Sequence, residues 1–172
     1  MMTTTHSPLF LAADSDPDTL GLYASIAAMA RIDRVMSCRC GLEAFHRIRQ
    51  YLPDVVFMDL KLPRLDGLSL LRRLDSLRIV PSVQIVVITG IPLTETMRAE
   101  VESLTSALFT PPAPMLPLLS ILEQARRRAL SRTIRVEDDS LPFDPSDVPE
   151  PGTLRRQPLF PLFSEGGEAL LG

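Results

Sequence analysis

The chain has 172 residues, 45% hydrophobic and 23% charged, with a net charge of −3, 16 prolines, two cysteines and one lysine, Lys61, among 18 basic side chains. The length suits one domain of ordinary size with a tail, and no apolar run reaches the ~18 residues that cross a bilayer. No basic stretch precedes an apolar one at the start, as a secretory signal would require, and Cys38 and Cys40 lie too close to bridge within a strand, so a soluble, cytoplasmic protein is expected.

Taken in chain order, short apolar runs alternate with helical patterns. Leu9–Ala13 has strand length and ends at the acidic turn Asp14-Ser15-Asp16-Pro17. Asp16 is a natural N-cap with Pro17 at the first helical position, and Leu20, Tyr23, Ala24, Ala27 and Ala28 follow at helical spacing. Arg34–Cys38 reads as a second strand. Gly41–Tyr51 reads as a second helix with Leu42, Phe45, Ile48 and Leu52 on one face. Residues 54–58 form a buried strand that ends at Asp59, before a loop punctuated by Pro63 and Gly67 and a helix over 68–77. Gln84–Ile88 is the most strand-like run and ends at Thr89-Gly90. Residues 94–104 form a short polar helix, Ala107–Phe109 a brief strand, and 113–130 the last helix, with Met115, Leu118, Leu119, Leu122, Ala125 and Ala129 facing inward. The cluster Arg126–Arg128 is read as the polar end of that helix, where cations favour the dipole.

Five apolar strands, each followed by a helix, predict an α/β domain over residues 7–131: a five-stranded parallel sheet with helices on both faces. Beyond residue 131 come six prolines, with four arginines against eight acids. Residues 132–172 are therefore expected to be a disordered acidic tail, with Leu159, Phe160, Leu162 and Phe163 as a short docking element. Residues 1–131 hold 14 basic and 13 acidic side chains. Neither part has the basic face that nucleic acid requires.

In such sheets ligands sit at the carboxyl ends of the strands, and those ends carry Asp14, Asp59 and Thr89. With strand order 2-1-3-4-5, Asp14 and Asp59 are neighbours. Two close carboxylates raise one another's pKa unless a cation lies between them. Mg²⁺ suits oxygen ligands and often accompanies phosphate. With a phosphoryl donor, one carboxylate can be the nucleophile while the other holds the metal, and Thr89 offers a hydroxyl to a phosphoryl oxygen. The plainer reading is that Asp14 and Asp59 cap the turns beside them. No glycine-rich loop follows the first strand, which argues against a dinucleotide or flavin site.

The run from Pro53 to Gly67, Pro-Asp-Val-Val-Phe-Met-Asp-Leu-Lys-Leu-Pro-Arg-Leu-Asp-Gly, resembles the signature of the receiver domain of two-component response regulators. There an Asp is followed by Pro four residues on and by Asp-Gly at seven and eight. Gly41-Leu42-Glu43-Ala44 and Val87-Ile88-Thr89-Gly90 are similar to other family segments. The resemblance spans about Leu9 to Leu130. It implies a flavodoxin-like fold, Asp59 as phosphoacceptor, Thr89 as the switch hydroxyl and the Lys61 carbonyl as a Mg²⁺ contact beside Asp14. It also implies a histidine kinase or phosphotransfer protein as donor, and an output protein on the face of the fourth helix, fifth strand and fifth helix.

The departures from that pattern are specific. The family's pair of adjacent acids reads Asp14-Ser15 here, with Asp16 one place late as the remaining acid for the metal. The family's lysine, in a Lys-Pro step after the fifth strand, falls on Thr110, and its aromatic switch residue falls on Ala107. Mg²⁺ binding, phosphorylation and conformational coupling are therefore expected to be weak. Lys61 reads as a solvent-facing loop lysine, with an approach of its ammonium to the phosphate as the alternative.

Two other readings stand beside this one: a phosphorylation-independent pseudo-receiver that only binds partners, and the truncated regulatory part of a cyclic-di-GMP phosphodiesterase. The second rests on Gln157-Pro158-Leu159-Phe160 and Glu168-Ala169-Leu170, which are similar to the opening of that family. Cys38 and Cys40 are expected as buried packing, and neither His6 nor His46 has a metal-binding partner in the pattern. No enzymatic activity is expected of the chain as it stands.

Overall fold

The structure, a computed structural model, describes residues 7–136. Its elements are β1 (Leu9–Ala13), α1 (Pro17–Met29), β2 (Arg34–Cys38), α2 (Gly41–Tyr51), β3 (Val55–Met58), α3 (Gly67–Ser76), β4 (Gln84–Ile88), α4 (Glu95–Leu104), β5 (Ala107–Phe109) and α5 (Met115–Val136). All strands are parallel and the order is β2-β1-β3-β4-β5, as expected. The expected tail, the element at residues 159–163, the phosphodiesterase-like pieces at residues 157–170 and His6 lie outside the described residues.

Capping side chains set several helix starts. Asp16 caps α1, accepting from the Asp18 N–H at 3.1 Å and the Thr19 hydroxyl at 2.8 Å. Asp66 caps α3 by accepting from the Ser69 N–H at 2.9 Å, so that helix opens at Gly67. Thr94 caps α4 in the same way through the Met97 N–H, which leaves Glu95 as the first helical residue. The last helix opens at Met115, later than residue 113, because a residue before proline is pushed out of the helical region and Pro114 follows Ala113. It continues to Val136, through the boundary set at residue 131.

Alternation along the strands divides the core into two layers. Leu11, Ala13, Val56, Met58, Ile85 and Val87 face α2, α3 and α4. Phe10, Ala12, Val55, Phe57, Val86 and Ile88 face α1 and α5, where Phe10 and Tyr23 each meet the Phe57 ring edge-on, at 4.9 and 5.6 Å. Strands buried on both faces read as continuous apolar runs, which is why their bounds were so legible.

Helix faces were less so. On α1 the buried residues are Leu20, Tyr23, Ile26 and Ala27, whereas Ala24 and Ala28 face outward. The α1 sequence is apolar around most of its circumference, so it offers no polar side to set the phase, and the bulkier Ile26 takes the inner position. On α2 the buried stripe is Gly41, Ala44 and Ile48. Leu42 lies at its exposed edge, and Leu52 is past the helix end in a left-handed conformation, φ 43°, with its N–H on the Ile48 carbonyl. Small residues win here because α2 approaches another backbone closely: a Cβ on Gly41 would overlap the Leu65 carbonyl oxygen. Met115 likewise begins α5 from an exposed position, while Leu118, Leu122, Ala125 and Ala129 are buried as expected. Cys38 is buried, and burial pushes its thiol up to about 11. Cys40 lies beyond the strand, half-buried, and caps α2 through a 3.5 Å contact from the Glu43 N–H to its sulfur.

Candidate functional site

Register carries the three sequence-predicted residues to one edge. Ala13 pairs with Met58, and the Asp59 N–H donates to the Ala13 carbonyl at 3.0 Å, so Asp14 and Asp59 leave adjacent strands at the same height. Asp14 continues the ladder on its other side, with its N–H on the Cys38 carbonyl at 3.1 Å. Thr89 leaves β4, the next strand, and its N–H meets the Phe109 carbonyl at 3.0 Å.

The loop after Asp59 is closely tied down. Gly67 donates to the Leu60 carbonyl at 2.8 Å, and a Cβ on it would stand 2.6 Å from the Leu60 Cα and 2.7 Å from the Asp59 carbonyl oxygen. Leu62 also donates to the Leu60 carbonyl, Leu65 to that of Pro63, and Gly41 from α2 to the same Pro63 oxygen. The Lys61 carbonyl takes part in none of these bonds, and its side chain is exposed. The Asp-Gly pair of the motif thus has two structural tasks: Asp66 caps α3 and Gly67 lets that helix reach the strand end.

Asp14 is buried, 8% exposed, and its Oδ1 accepts from the Asp16 N–H at 2.9 Å. Burial raises its carboxyl above the ordinary value of 3.8; the Asp16 N–H opposes this, and the Asp59 and Asp16 charges add to it. The sign of the linkage follows. A carboxyl whose pKa is raised on folding binds its proton more tightly in the folded state, so its ionisation destabilises the fold as pH rises through the interval from about 3.8 to the raised value. Asp14→Asn is therefore expected to melt at a higher temperature than wild type at pH 7, with the difference shrinking as pH falls through that interval. Paired thermal melts across pH 3 to 8 test this. A difference that grows on acidification overturns it.

Asp59 Oδ1 is fully buried and has no hydrogen-bond partner among the described residues. Asp59 is part of the lining of a cavity of about 390 Å³ between α1 and the segment from β5 to α5, as are Asp14 and Asp16. Asp16 has its oxygens engaged in capping α1, and that engagement lowers its carboxyl, the Thr19 hydroxyl first among the causes. Thr89 is buried at 3% exposure, and its hydroxyl accepts from the Ile91 N–H at 3.5 Å; the cavity wall there is made by Ile88 and Gly90 instead. Thr110 is exposed and outside the lining, whereas Pro111 lines the cavity. Lys61 does not reach it either.

Two contributors carried no sequence signal beyond helix spacing and a proline run: Tyr23 and Pro111. Tyr23 is buried on the cavity wall, and burial, then the Asp14 and Asp59 charges, push its phenol up, so it remains a neutral hydroxyl. As to a metal, no three acidic, cysteine or histidine side chains among the described residues form a cluster able to hold one. The donors the structure brings together are two carboxylates, those of Asp14 and Asp59, the latter with an oxygen unpartnered among the described residues. That chemistry suits a hydrated Mg²⁺, with one charge fewer than a three-acid site.

A family model described as "Response regulator receiver domain" matches residues 10–106. Among curated proteins, the chain is 36% identical over 96 residues to a protein-glutamate methylesterase/protein-glutamine glutaminase of Carboxydothermus hydrogenoformans, covering 56% of this chain and 27% of that protein. It is 34% identical over 76 residues to the response regulator GacA of Pseudomonas aeruginosa, covering 44% of this chain and 35% of that protein. The chain thus spans about a third or less of the length of these relatives. Among solved structures, the receiver domain of a Francisella response regulator superposes with a TM-score of 0.62 at 24% identity, over 70% of this chain and 98% of that one. The signal receiver domain of an HD domain-containing protein from Pseudomonas fluorescens does so with 0.62 at 23%, over 78% and 98%.

Proposed function

Because the chain belongs to the response regulator receiver domain family, we propose that it is an atypical member in which Asp59 accepts a phosphoryl group slowly. The observation that supports this is that Asp59 lines a cavity together with Asp14, and that the lining contains no lysine, arginine or histidine. The carboxylate borders the cavity; the cation that would stabilise the transferring group is missing from its lining. Asp59 oxygen forms the new bond to phosphorus as the bond from phosphorus to the donor's leaving group breaks. Asp14, Asp59 and the Lys61 carbonyl would hold Mg²⁺, which neutralises charge on the phosphoryl oxygens when bound. Asp16 remains a helix cap in this reading. Thr89 would donate its hydroxyl proton to a phosphoryl oxygen, which its acceptance from the Ile91 N–H leaves free.

Receiver domains act with histidine kinases and output domains, and this chain is proposed to take its phosphoryl group from such a kinase or a phosphotransfer protein in the cytoplasm. Its output surface is proposed to be the face of α4, β5 and α5. That face is loosely built: Val101 is the only fully buried residue of α4, and all three β5 residues are half-buried. No helix among the described residues is long and apolar enough to cross a membrane. The pseudo-receiver reading draws on the same cation-free lining.

Intact-mass measurement after incubation with Mg²⁺ and a small phosphodonor separates the two readings. Wild type is expected to gain one phosphoryl group and Asp59→Asn none. No gain by wild type, with histidine kinases included as donors, leaves the pseudo-receiver.

A further inference from the structure

The cavity that reaches Asp59 is built for more than a phosphoryl group. Its volume, about 390 Å³, lies within the range of roughly 300–1,000 Å³ typical of small-molecule sites. Its floor is anionic: Asp14 and Asp59 both belong to the lining, and no lysine, arginine or histidine does. Its walls are apolar, with Leu22 and Ile26 from α1 and Pro112, Ala113, Met115 and Leu118 from the β5–α5 side. At the rim, Leu22 is 50% and Met115 47% exposed, so large side chains hold apolar surface open to water at the mouth.

These features select a ligand by elimination. A free anion is repelled by the floor. A bare divalent ion satisfies the carboxylates but leaves the walls wet. A neutral apolar molecule covers the walls but leaves the Asp14 and Asp59 carboxylates without a counter-charge, which is costly once water is displaced from them. A cationic head on an apolar body meets both demands. We propose that this cavity binds a small amphiphilic organic cation, an ammonium or amidinium group carried on an alkyl or aryl body. Its N–H groups pair with the carboxylates of Asp59 and Asp14, while its body lies between α1 and the start of α5. The inference does not require Asp59 to be a phosphoacceptor, but it makes phosphorylation and ligand binding mutually exclusive at that carboxylate.

The probe is phenethylammonium, titrated into the full chain by calorimetry, with 2-phenylethanol as its neutral counterpart and MgCl₂ as competitor. Saturable one-to-one binding is expected, about tenfold or more weaker for 2-phenylethanol and for Asp59→Asn, and displaced by Mg²⁺. Ala113→Phe, which fills the cavity, is expected to abolish it. If that variant does not fold, Leu22→Ala, at a half-exposed helix position, supplies the wall test with a several-fold loss. Absence of saturable binding overturns the proposal, as does equal binding of the neutral counterpart or indifference to Asp59→Asn. A concentration-dependent dimer that Ala113→Phe dissolves would also overturn it, in favour of a second copy of the chain as occupant. An absent Asp59-dependent mass gain leaves all these readouts unaffected, so the two proposals fail separately.

Discussion

Pro111→Lys is expected to speed phosphorylation of Asp59 by a small phosphodonor about a hundredfold or more, because one preorganised donor aimed at developing phosphoryl charge contributes about 3–4 kcal/mol. Position 111 lines the cavity that holds Asp59, and its ring lies near Gly90: a Cβ there would stand 3.9 Å from the Pro111 Cγ. A lysine at 111 starts from that wall, with a four-carbon stem to carry its ammonium to the floor. Thr110→Lys is the control. Positions 110 and 111 are both exposed, but 110 is outside the lining, so its ammonium is expected to remain in water, with a factor of about three or less, the size of an exposed ion-pair effect. Rates of mass gain for the three proteins decide the matter. A large gain at 110 with none at 111 would return the missing charge to Thr110, where the spacing of the sequence motif had put it.

The second large effect is on stability. Gly41→Ala is expected to destabilise the fold by about 3 kcal/mol, roughly 10 °C in melting temperature for a domain of this size. The new methyl group would overlap the Leu65 carbonyl oxygen, and a backbone atom cannot rotate away as a side chain can. Gly21→Ala is the matched contrast. Gly21 is exposed within α1, and a Cβ there meets nothing within 4 Å, so the same substitution should stabilise by about 0.5–1 kcal/mol through helix propensity alone. Thermal melts that show the two changes with the same sign would refute this account of α2 packing.

Much of the fold was legible because buried parallel strands are written as uninterrupted apolar runs. Leu9–Ala13 and Gln84–Ile88 were bounded to the residue, while the strand order that brings Asp14 beside Asp59 rested on the resemblance to the receiver fold. Helix phase was legible only where a polar side existed. On α1 it did not, and Ala24 and Ala28 were placed inward where Ile26 belongs. On α2 the close approach at Gly41, a contact across 24 residues of sequence, overrode the larger Leu42.

The site was legible as a convergence of Asp14, Asp59 and Thr89, but its shape was not. Whether a residue just past a three-residue strand lines a cavity depends on a turn, and Thr110-Pro111-Pro112 gives no periodicity from which to read it. Nor does a helical tyrosine announce that its ring will form the wall of an acidic cavity. The capping role of Asp16 was visible in the Asp-Pro step; that the role would occupy its oxygens needed the positions of Asp18 and Thr19.

The tie-down of the 60–67 loop has a mechanical consequence. Its backbone bonds to Leu60 and Pro63, and the close contacts of Gly41 and Gly67, clamp one flank of Asp59 to α2 and α3. The opposite flank, through β5 and α4, is half-exposed and held by few buried side chains. Asp59 therefore lies between a closely tied loop on one side and more sparsely buried elements on the other. A phosphoryl group or a ligand at the carboxylate is expected to displace the second before the first.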